Sequence, residues 1–377
     1  MNLFDVYPLF PITPIKAKGS WLWDDRGLKY LDLYGGHAVI SIGHSHPCYI
    51  EKLTSQISQI GFYSNSVRIA QQEELAYKLG ELSAYPEYNL FLCNSGAEAN
   101  ENALKLASFH NGRKRIIAFK NAFHGRTSLA VACTDDPSIK ANINRNADIT
   151  FLPLNDEEAL ENAMSDEICA VIVEGIQGVA GVIMPSNSFL LKIKSLCELH
   201  GSLMILDEVQ SGYGRSGRFF AHQSSSVTPD IITVAKGMGN GFPIAGVLIA
   251  PYIKARQGML GTTFGGNYLA CAAGIAVLDI IKKEELIENS RKMGEYLYQQ
   301  LSGLSTLKAV RGIGLMIGIQ LSPLAAPVRK ALLDDYQIFT GSASCKNTIR
   351  ILPALNIQQG ELEFFLVALK KILETKP

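Results

Sequence analysis

The sequence lacks an excess of either charge and any long apolar run, and both absences exclude classes of protein. Its 377 residues contain 35 Lys and Arg against 35 Asp and Glu, so the formal net charge is zero. A neutral chain without a basic run has no electrostatic footprint for nucleic acid or for an anionic membrane surface. The longest apolar run, 269–278, has ten residues, whereas a membrane helix needs about 18. We therefore expect neither nucleic acid nor membrane as a partner.

The sequence also lacks the patterns of secretion, of a disulfide scaffold and of a zinc site. The first lysine is Lys16, and Pro8, Pro11 and Pro14 interrupt the N-terminal segment, unlike a secretory signal. The seven cysteines are odd in number and scattered, and none forms a C-x-x-C motif. These features predict reduced thiols in a cytoplasmic protein without a structural metal.

Short apolar strands alternate with helical stretches between residues 88 and 255. The predicted strands are 88–93, 115–119, 149–152, 170–174, 202–207, 231–235 and 245–250, with helices between them at 97–110, 156–164 and 187–200. Several of the strands are nearly continuous apolar runs, which is typical of strands buried on both faces. The alternation predicts an α/β fold in which helices flank a mostly parallel, seven-stranded sheet.

The length of the chain predicts about two domains. The alternation of strands and helices gives way to a long helical stretch at 267–302, then to shorter elements and a last helix near 359–374. We assign 48–265 to a large domain and 266–377 to a smaller α+β domain. Residues 1–47, rich in proline, glycine and aromatic side chains, are expected to pack with the small domain.

One candidate site is the helix start that follows strand 88–93. Ser95 stands three residues before Glu98, which is the spacing of a capping box and predicts that a helix begins here. Gly96 lets the backbone approach a ligand closely, and the free N–H groups of a helix N-terminus bind phosphate. The segment is therefore either a well-capped helix and nothing more, or a phosphate site.

Two further strands end in side chains suited to catalysis. Asp207 ends strand 202–207 and is either a solvated turn residue or a group that points into the crevice at the carboxyl ends of the strands. Lys236 follows strand 231–235 and is either an exposed lysine or one whose neutral amine bonds to an aldehyde. An aspartate, a lysine and a phosphate-binding helix start at successive strand ends are the groups that pyridoxal phosphate requires.

A glycine pattern at 212–217 (Gly-Tyr-Gly-Arg-Ser-Gly) matches the dinucleotide fingerprint and raises a nicotinamide dehydrogenase as an alternative. The fingerprint requires a strand directly before the pattern and a helix after it. Here polar residues separate the pattern from the strand, and the serine-rich segment that follows is a poor helix. We therefore do not expect a nicotinamide site.

The order of five motifs resembles the class-III pyridoxal phosphate aminotransferases. The motifs are 95–100 (Ser-Gly-Ala-Glu-Ala-Asn), 123–126 (Phe-His-Gly-Arg), 207–210 (Asp-Glu-Val-Gln), 236–237 (Lys-Gly) and 262–267 (Thr-Thr-Phe-Gly-Gly-Asn). The resemblance covers almost the whole chain and is strongest to the acetylornithine aminotransferase group. It implies fold type I of these enzymes and transfer of the terminal amino group of N2-acetylornithine to 2-oxoglutarate, in arginine biosynthesis. N-succinylornithine, free ornithine and 4-aminobutyrate are alternative donors, and a binding or regulatory protein that has lost activity is the non-enzymatic alternative.

The resemblance implies five residues around the cofactor ring. Lys236 is the lysine that bonds to the cofactor and then moves a proton, and Asp207 pairs with the pyridine nitrogen. Phe123 and Val209 hold the two faces of the ring. Gln210 is expected to hydrogen-bond the ring hydroxyl.

Four residues are implied around the cofactor phosphate. The backbone N–H groups of Gly96 and Ala97 bind it, and Ser95 caps their helix. Thr263 reaches the phosphate in the neighbouring subunit, which implies a homodimer.

The remaining implied roles concern the substrate. Arg126 is expected to clamp a carboxylate. Glu174 is expected to pair with Arg350 while an ornithine-type donor is bound, and to release it for the second carboxylate of glutamate.

The sequence departs from the family at several positions. Gly175 and Tyr268 replace prolines, Val179 replaces an acid, and His37 replaces a frequent aliphatic residue; the last two bear on the substrate. Both changes favour a negatively charged acyl tail, such as N-succinyl.

Overall fold

The strands and helices are defined by a computed structural model that describes residues 1–375. The strands are β1 (Pro14–Lys18), β2 (Trp21–Asp24), β3 (Lys29–Asp32), β4 (Asn89–Cys93), β5 (Arg115–Phe119), β6 (Ile149–Leu152), β7 (Ile168–Glu174), β8 (Leu203–Asp207), β9 (Ile231–Val234), β10 (Ala245–Ile249), β11 (Leu307–Ile313), β12 (Met316–Leu321), β13 (Ile338–Phe339), β14 (Gly341–Ser342) and β15 (Thr348–Ile351). The helices are α1 (Gly35–Ala38), α2 (Pro47–Gln59), α3 (Ala70–Ser83), α4 (Gly96–Asn111), α5 (Ser128–Ala132), α6 (Glu157–Ala163), α7 (Asn187–His200), α8 (Tyr268–Lys283), α9 (Leu286–Ser302), α10 (Ala325–Tyr336) and α11 (Gln359–Thr375). Across the described residues, no helix combines the length and the apolar character that a membrane crossing requires.

The central sheet has seven strands in the order β4-β10-β9-β8-β7-β5-β6. All neighbours are parallel except β10, which runs antiparallel to both β4 and β9. Every residue of β7, β8 and β9 is buried, as their continuous apolar runs predict. The predicted α/β fold, with a mostly parallel seven-stranded sheet, is confirmed.

Two smaller sheets stand beside the central one, in the orders β11-β12-β15-β14 and β1-β2-β3-β13. The second sheet joins the two ends of the chain, because β13 pairs in parallel with β3. Main-chain bonds continue this junction, since Leu352 N–H donates to Leu33 O (2.8 Å) and Leu355 N–H donates to Ser41 O (2.7 Å). The N-terminal segment therefore packs along the residues that follow β15, while the predicted domain boundaries stay predictions.

The prediction of one helical stretch at 267–302 is wrong, because the chain breaks between α8 and α9. Glu285 adopts a left-handed conformation with φ of 51°. The helix α8 is buried along most of its length and packs against α2 and α3, whereas α9 turns away to cover β11. The change of packing partner, rather than a glycine or proline in the sequence, decides the break.

Candidate functional site

The carboxyl ends of three central strands open into a cleft of about 860 Å³. Glu174 at the end of β7 pairs in register with Asp207, which pairs with Thr233 of β9. This is the edge at which parallel α/β sheets bind ligands. Twelve of the thirteen predicted site residues line the cleft, namely His37, Ser95, Gly96, Ala97, Phe123, Arg126, Glu174, Asp207, Val209, Gln210, Lys236 and Arg350. Thr263 is exposed and does not line the cleft of its own chain.

The start of α4 provides free N–H groups at the floor of the cleft. Ser95 caps this helix, since Glu98 N–H donates to Ser95 Oγ at 3.2 Å. The other half of the predicted capping box is wrong, because the Glu98 carboxylate accepts from Asn94 N–H at 2.9 Å instead of from Ser95. Gly96 and Ala97 occupy the first turn, where N–H groups have no acceptor within the helix. A phosphate fits this arrangement of a helix dipole and unpaired donors.

Lys236 lines the cleft and is suited to bonding with an aldehyde there. The Lys236 amine makes no hydrogen bond or ion pair within the part of the chain that the structure describes. Burial lowers the pKa of Lys236 from its ordinary value and Arg350 adds to this, while Asp207 and Glu174 oppose it. A lysine that favours its neutral form is a nucleophile toward an aldehyde. A Cβ at Gly96 would lie 2.6 Å from a Val209 methyl group. Glycine is therefore required at this position for the start of α4 to lie close to Val209.

Asp207 is fixed by donors on both of its oxygens. Its Oδ2 accepts from Asn100 Nδ2 at 2.7 Å and lies 2.8 Å from His124 Nδ1, while Oδ1 accepts from Val209 N–H at 3.0 Å. Thr233 Oγ1 donates to Asn100 Oδ1 at 2.7 Å, which orients the asparagine amide toward the carboxylate. The arrangement holds Asp207 in one orientation at the cleft.

Asn100 and His124 were not identified as site residues from the sequence, although both lie in motifs that carry the resemblance. A signal for Asn100 existed, because it lies four residues after Gly96 and so shares its helix face. His124 lines the cleft, and its buried Nε2 has no hydrogen-bond partner among the described residues. An unpaired buried nitrogen is costly unless a ligand or water pairs with it, which is a second indication that a polar group belongs here.

Glu174 is a buried carboxyl held by the main chain. Its oxygens accept from Phe123 N–H at 3.0 Å and Gly178 N–H at 3.2 Å. Burial raises the pKa of Glu174 to about 7, with a further rise from Asp207 and an opposing effect from His124. Protonation of this group therefore changes near neutral pH.

Glu174 and Arg350 form no ion pair in the part of the chain that the structure describes, and their pairing with an ornithine-type donor bound stays a prediction. Arg350, 4% exposed, instead donates from Nη1 to Gln210 Oε1 at 3.3 Å and from Nε to Ser342 O. Gln210 Nε2 in turn donates to His37 O at 3.0 Å. The Arg350 guanidinium thus has neutral acceptors, and main-chain N–H groups hold the Glu174 carboxyl.

His37 enters the cleft from a left-handed turn rather than from a right-handed helix. The φ values of Gly35, Gly36, His37 and Ala38 are 55°, 52°, 68° and 64°. Left-handed backbone costs a residue with a Cβ about 1–2 kcal/mol, and such strain clusters at functional sites. The Tyr34 hydroxyl hydrogen-bonds the His37 ring, and burial together with nearby cations lowers the pKa of that ring. The turn therefore places His37 on the lining of the cleft.

Arg126 is an exposed arginine on the lining of the cleft. Its guanidinium makes no hydrogen bond or ion pair with residues 1–375, although Asp136 lines the same cleft. Val179 also lines the cleft. An unpaired guanidinium offers two parallel donors to a carboxylate.

Comparisons with known proteins give the same family throughout the chain. The model of the family "Aminotransferase class-III" matches residues 5–373. The acetylornithine aminotransferase of Bacillus cereus is 38% identical, covering 100% of this chain and 98% of that protein. The enzyme of the same name from Archaeoglobus fulgidus is 39% identical, with 96% of each chain covered.

Solved structures resemble the chain over nearly its full length. The acetylornithine aminotransferase of Elizabethkingia anophelis has a TM-score of 0.86 at 31% identity, covering 98% of this chain and 95% of that one. An ornithine aminotransferase of Toxoplasma gondii, reported with partial occupancy of PLP at its active site, has a TM-score of 0.89 at 27% identity. That match covers 97% of this chain and 91% of the other.

Proposed function

The chain belongs to the class-III aminotransferases, and on that premise we propose that it is a pyridoxal phosphate-dependent transaminase of acylornithine. The enzyme moves the terminal amino group of N2-acetyl-L-ornithine to 2-oxoglutarate and forms N-acetylglutamate 5-semialdehyde and L-glutamate, a step of arginine biosynthesis. One observation carries the proposal, namely that Lys236, the fixed Asp207 and the first-turn N–H groups of α4 meet in one cleft.

Different residues of the cleft would hold different parts of the cofactor. When bound, pyridoxal phosphate supplies the aldehyde that takes up the amino group and a ring that accepts electrons from a breaking C–H bond. The start of α4 would hold the phosphate, and Asp207 would face the ring nitrogen and keep it protonated. Phe123 and Val209 would hold the ring flat, while Gln210 would reach its hydroxyl.

Lys236 and two arginines act on the substrate. The neutral amine of Lys236 would move a proton between the cofactor and the substrate carbon that bears the amino group, in opposite directions in the two half-reactions. Arg126, whose guanidinium has no partner among the described residues, binds one substrate carboxylate. Arg350 binds the second carboxylate of glutamate or 2-oxoglutarate. To do so it gives up its hydrogen bonds to Gln210 Oε1 and Ser342 O.

A second candidate donor is N-succinylornithine, and the surroundings of Arg350 favour it. The acyl tail of this donor ends in a carboxylate, and Arg350 has no acidic partner to displace within the described residues. His37 and Val179 both line the cleft, where the first adds a donor and the second removes a negative charge.

We further propose that the enzyme is a cytoplasmic homodimer in which Thr263 completes the partner's site. Thr263 is exposed and lies outside the cleft of its own chain. The exposed rings of Phe62 and Phe264 pack beside it with centroids 5.5 Å apart, and exposed apolar clusters mark association surfaces. The seven cysteines are all free thiols, which suits a reducing compartment.

The donor is identified by following the visible spectrum of the holoenzyme without an oxo acid. N-acetylornithine, N-succinylornithine, ornithine and 4-aminobutyrate are mixed in turn with the enzyme, and the rate at which the cofactor's visible band disappears is measured. We expect an acylornithine to react fastest, and the ratio of the two acyl donors identifies the acyl group. His37→Ala is expected to change that ratio, because His37 lines the cleft and its ring can donate a hydrogen bond to an acyl group.

Each other outcome contradicts a stated part of the proposal. Faster reaction with ornithine or 4-aminobutyrate would contradict the substrate and leave the reaction class intact. A holoenzyme that reacts with no amino donor would contradict transamination itself. An unchanged ratio in His37→Ala would exclude His37 from acyl recognition.

A further inference from the structure

The glycine pattern at 212–217 surrounds a buried arginine that no part of the proposed chemistry uses. Arg215 is 2% exposed and forms no ion pair within residues 1–375. Its guanidinium donates to main-chain oxygens instead, to Leu315 O at 3.2 Å, to Ile40 O at 3.3 Å and to Pro353 O. Burial lowers the pKa of Arg215 to about 9, with partial opposition from Asp32. Burying a cation without a carboxylate partner costs free energy, and the three carbonyl groups offset part of that cost by accepting hydrogen bonds from Arg215.

The three carbonyls come from three segments that lie outside the central sheet. Ile40 follows the left-handed turn and stands three residues after His37. Pro353 follows β15 and stands three residues after Arg350. Leu315 lies in the tight turn between β11 and β12. The Arg215 side chain, which lies in the loop after β8, thus holds the backbone near His37 and Arg350. Both are proposed substrate residues that lie outside the central sheet.

The main chain of Arg215 is held as firmly as its side chain. Its carbonyl accepts from Ser290 Oγ at 3.1 Å and from Leu315 N–H at 2.9 Å. A Cβ at Gly314 would lie 2.6 Å from the same carbonyl oxygen, and one at Gly294 would collide with Gly314. Glycine at these positions lets the segments approach closely enough for the bonds to form.

We propose that Arg215 is a positioning residue that sets the places of His37 and Arg350 in the substrate cleft. It does not line the cleft and therefore acts through the backbone that it binds. The planar guanidinium spreads its donors over separate nitrogens, so that Nη1 reaches Leu315 and Pro353 while Nη2 reaches Ile40. The ammonium group of lysine has its three donors on one atom and cannot span the same acceptors. The inference rests on the proposed function for the substrate roles of these two residues.

The test compares two five-carbon acids that differ by one carboxylate. The dissociation constants of glutarate and of valerate are measured on the holoenzyme by calorimetry, for the wild type and for Arg215→Lys. Displacement of Arg350 is expected to weaken glutarate about tenfold, since misplacement on the order of 1 Å is costly, and to leave valerate within about twofold. The visible spectrum of the bound cofactor is expected to stay unchanged.

Arg113→Lys is the matched control, because Arg113 also donates to two main-chain oxygens. Its acceptors are Ile168 O at 3.0 Å and His200 O at 2.7 Å, at the opposite end of β7 from the cleft. This variant is expected to bind both acids like the wild type. In the Arg350→Ala background, Arg215→Lys is expected to cause no further loss of glutarate binding, because a residue that acts through another is non-additive with it.

Three results would overturn the inference: equal weakening of both acids, no weakening of either, or an additive loss in the double variant. If Arg215→Lys does not fold, Ser290→Ala is the second variant, because Ser290 Oγ donates to the Arg215 carbonyl. An unchanged ratio of the glutarate and valerate dissociation constants in Ser290→Ala would also overturn the inference. A wild type that binds glutarate but accepts no amino group would contradict the proposed function and leave this inference standing.

Discussion

At the residue scale, Glu174 is the group of the cleft whose ionisation responds to neutral pH. It is 6% exposed and accepts two main-chain hydrogen bonds, yet burial outweighs them and raises its pKa to about 7. Two buried carboxyls end adjacent strands, and only Asp207 has side-chain partners, Asn100 and His124, which both contact its Oδ2. The fold therefore holds the Asp207 carboxyl in one orientation by side-chain hydrogen bonds, and burial raises the pKa of the Glu174 carboxyl.

We predict that Glu174→Gln removes part of the pH dependence of stability. Its folded-state pKa, about 7, lies above the ordinary value of 4.5, so between these values the folded protein holds a proton that the unfolded chain has released. The stabilising contribution is complete below the unfolded pKa and is lost as pH rises through the folded one, on the order of 3 kcal/mol in all. The free energy of unfolding of cofactor-free protein, measured in urea from pH 5 to 8, should fall more steeply for the wild type than for the variant. Equal slopes would contradict the raised pKa.

At the element scale, the break between α8 and α9 places a strained residue on the surface. Glu285 holds a left-handed φ of 51° without a side-chain cap, and its side chain is exposed. The chain accepts this strain because it lets α9 change direction and cover β11. The free energy gained by packing α8 and α9 on different partners exceeds the cost of the left-handed backbone at Glu285.

We predict that Glu285→Gly stabilises the protein by about 0.5–1 kcal/mol, because glycine adopts left-handed backbone without a Cβ clash. The urea midpoint at constant m-value measures the effect. Glu285→Ala is the matched control, since it removes the same carboxylate but keeps the Cβ and should give no comparable gain. A gain of equal size in both variants would attribute the effect to charge instead.

At the scale of the whole molecule, the question is whether one chain makes a complete site. Twelve predicted residues share one cleft, and Thr263 alone faces outward beside an exposed aromatic pair. A residue supplied by a second copy would explain why it lies apart from the others.

Mixed dimers test this arrangement. We predict that Lys236→Ala and Thr263→Ala chains, each impaired alone, regain activity when refolded together, because one site of the mixed dimer then contains Lys236 from one chain and Thr263 from the other. If Thr263 served its own chain, that site would always lack one of the two groups, and mixing would restore nothing. Recovered turnover at a fixed total protein concentration measures the outcome.

Local sequence patterns were sufficient to predict the seven strands of the central sheet and the place of the cleft, but not the strands of the two smaller sheets. β5, β6 and α7 have the predicted bounds, because buried parallel strands are local apolar runs and helix ends carry local caps. Asp207 and Lys236 were found because the carboxyl ends of parallel strands meet at one edge. These are properties of short segments and of a general rule of topology.

Which groups pair depends on tertiary packing. The His124 contact with Asp207, the neutral acceptors of Arg350 and the three carbonyls on Arg215 join residues far apart in the chain. A hydrogen bond of this kind depends on register and on packing to a fraction of an ångström, and neither is encoded in the spacing of residue types. The same reason explains the left-handed turn at His37 and the break at Glu285, where packing of distant segments overrides local preference.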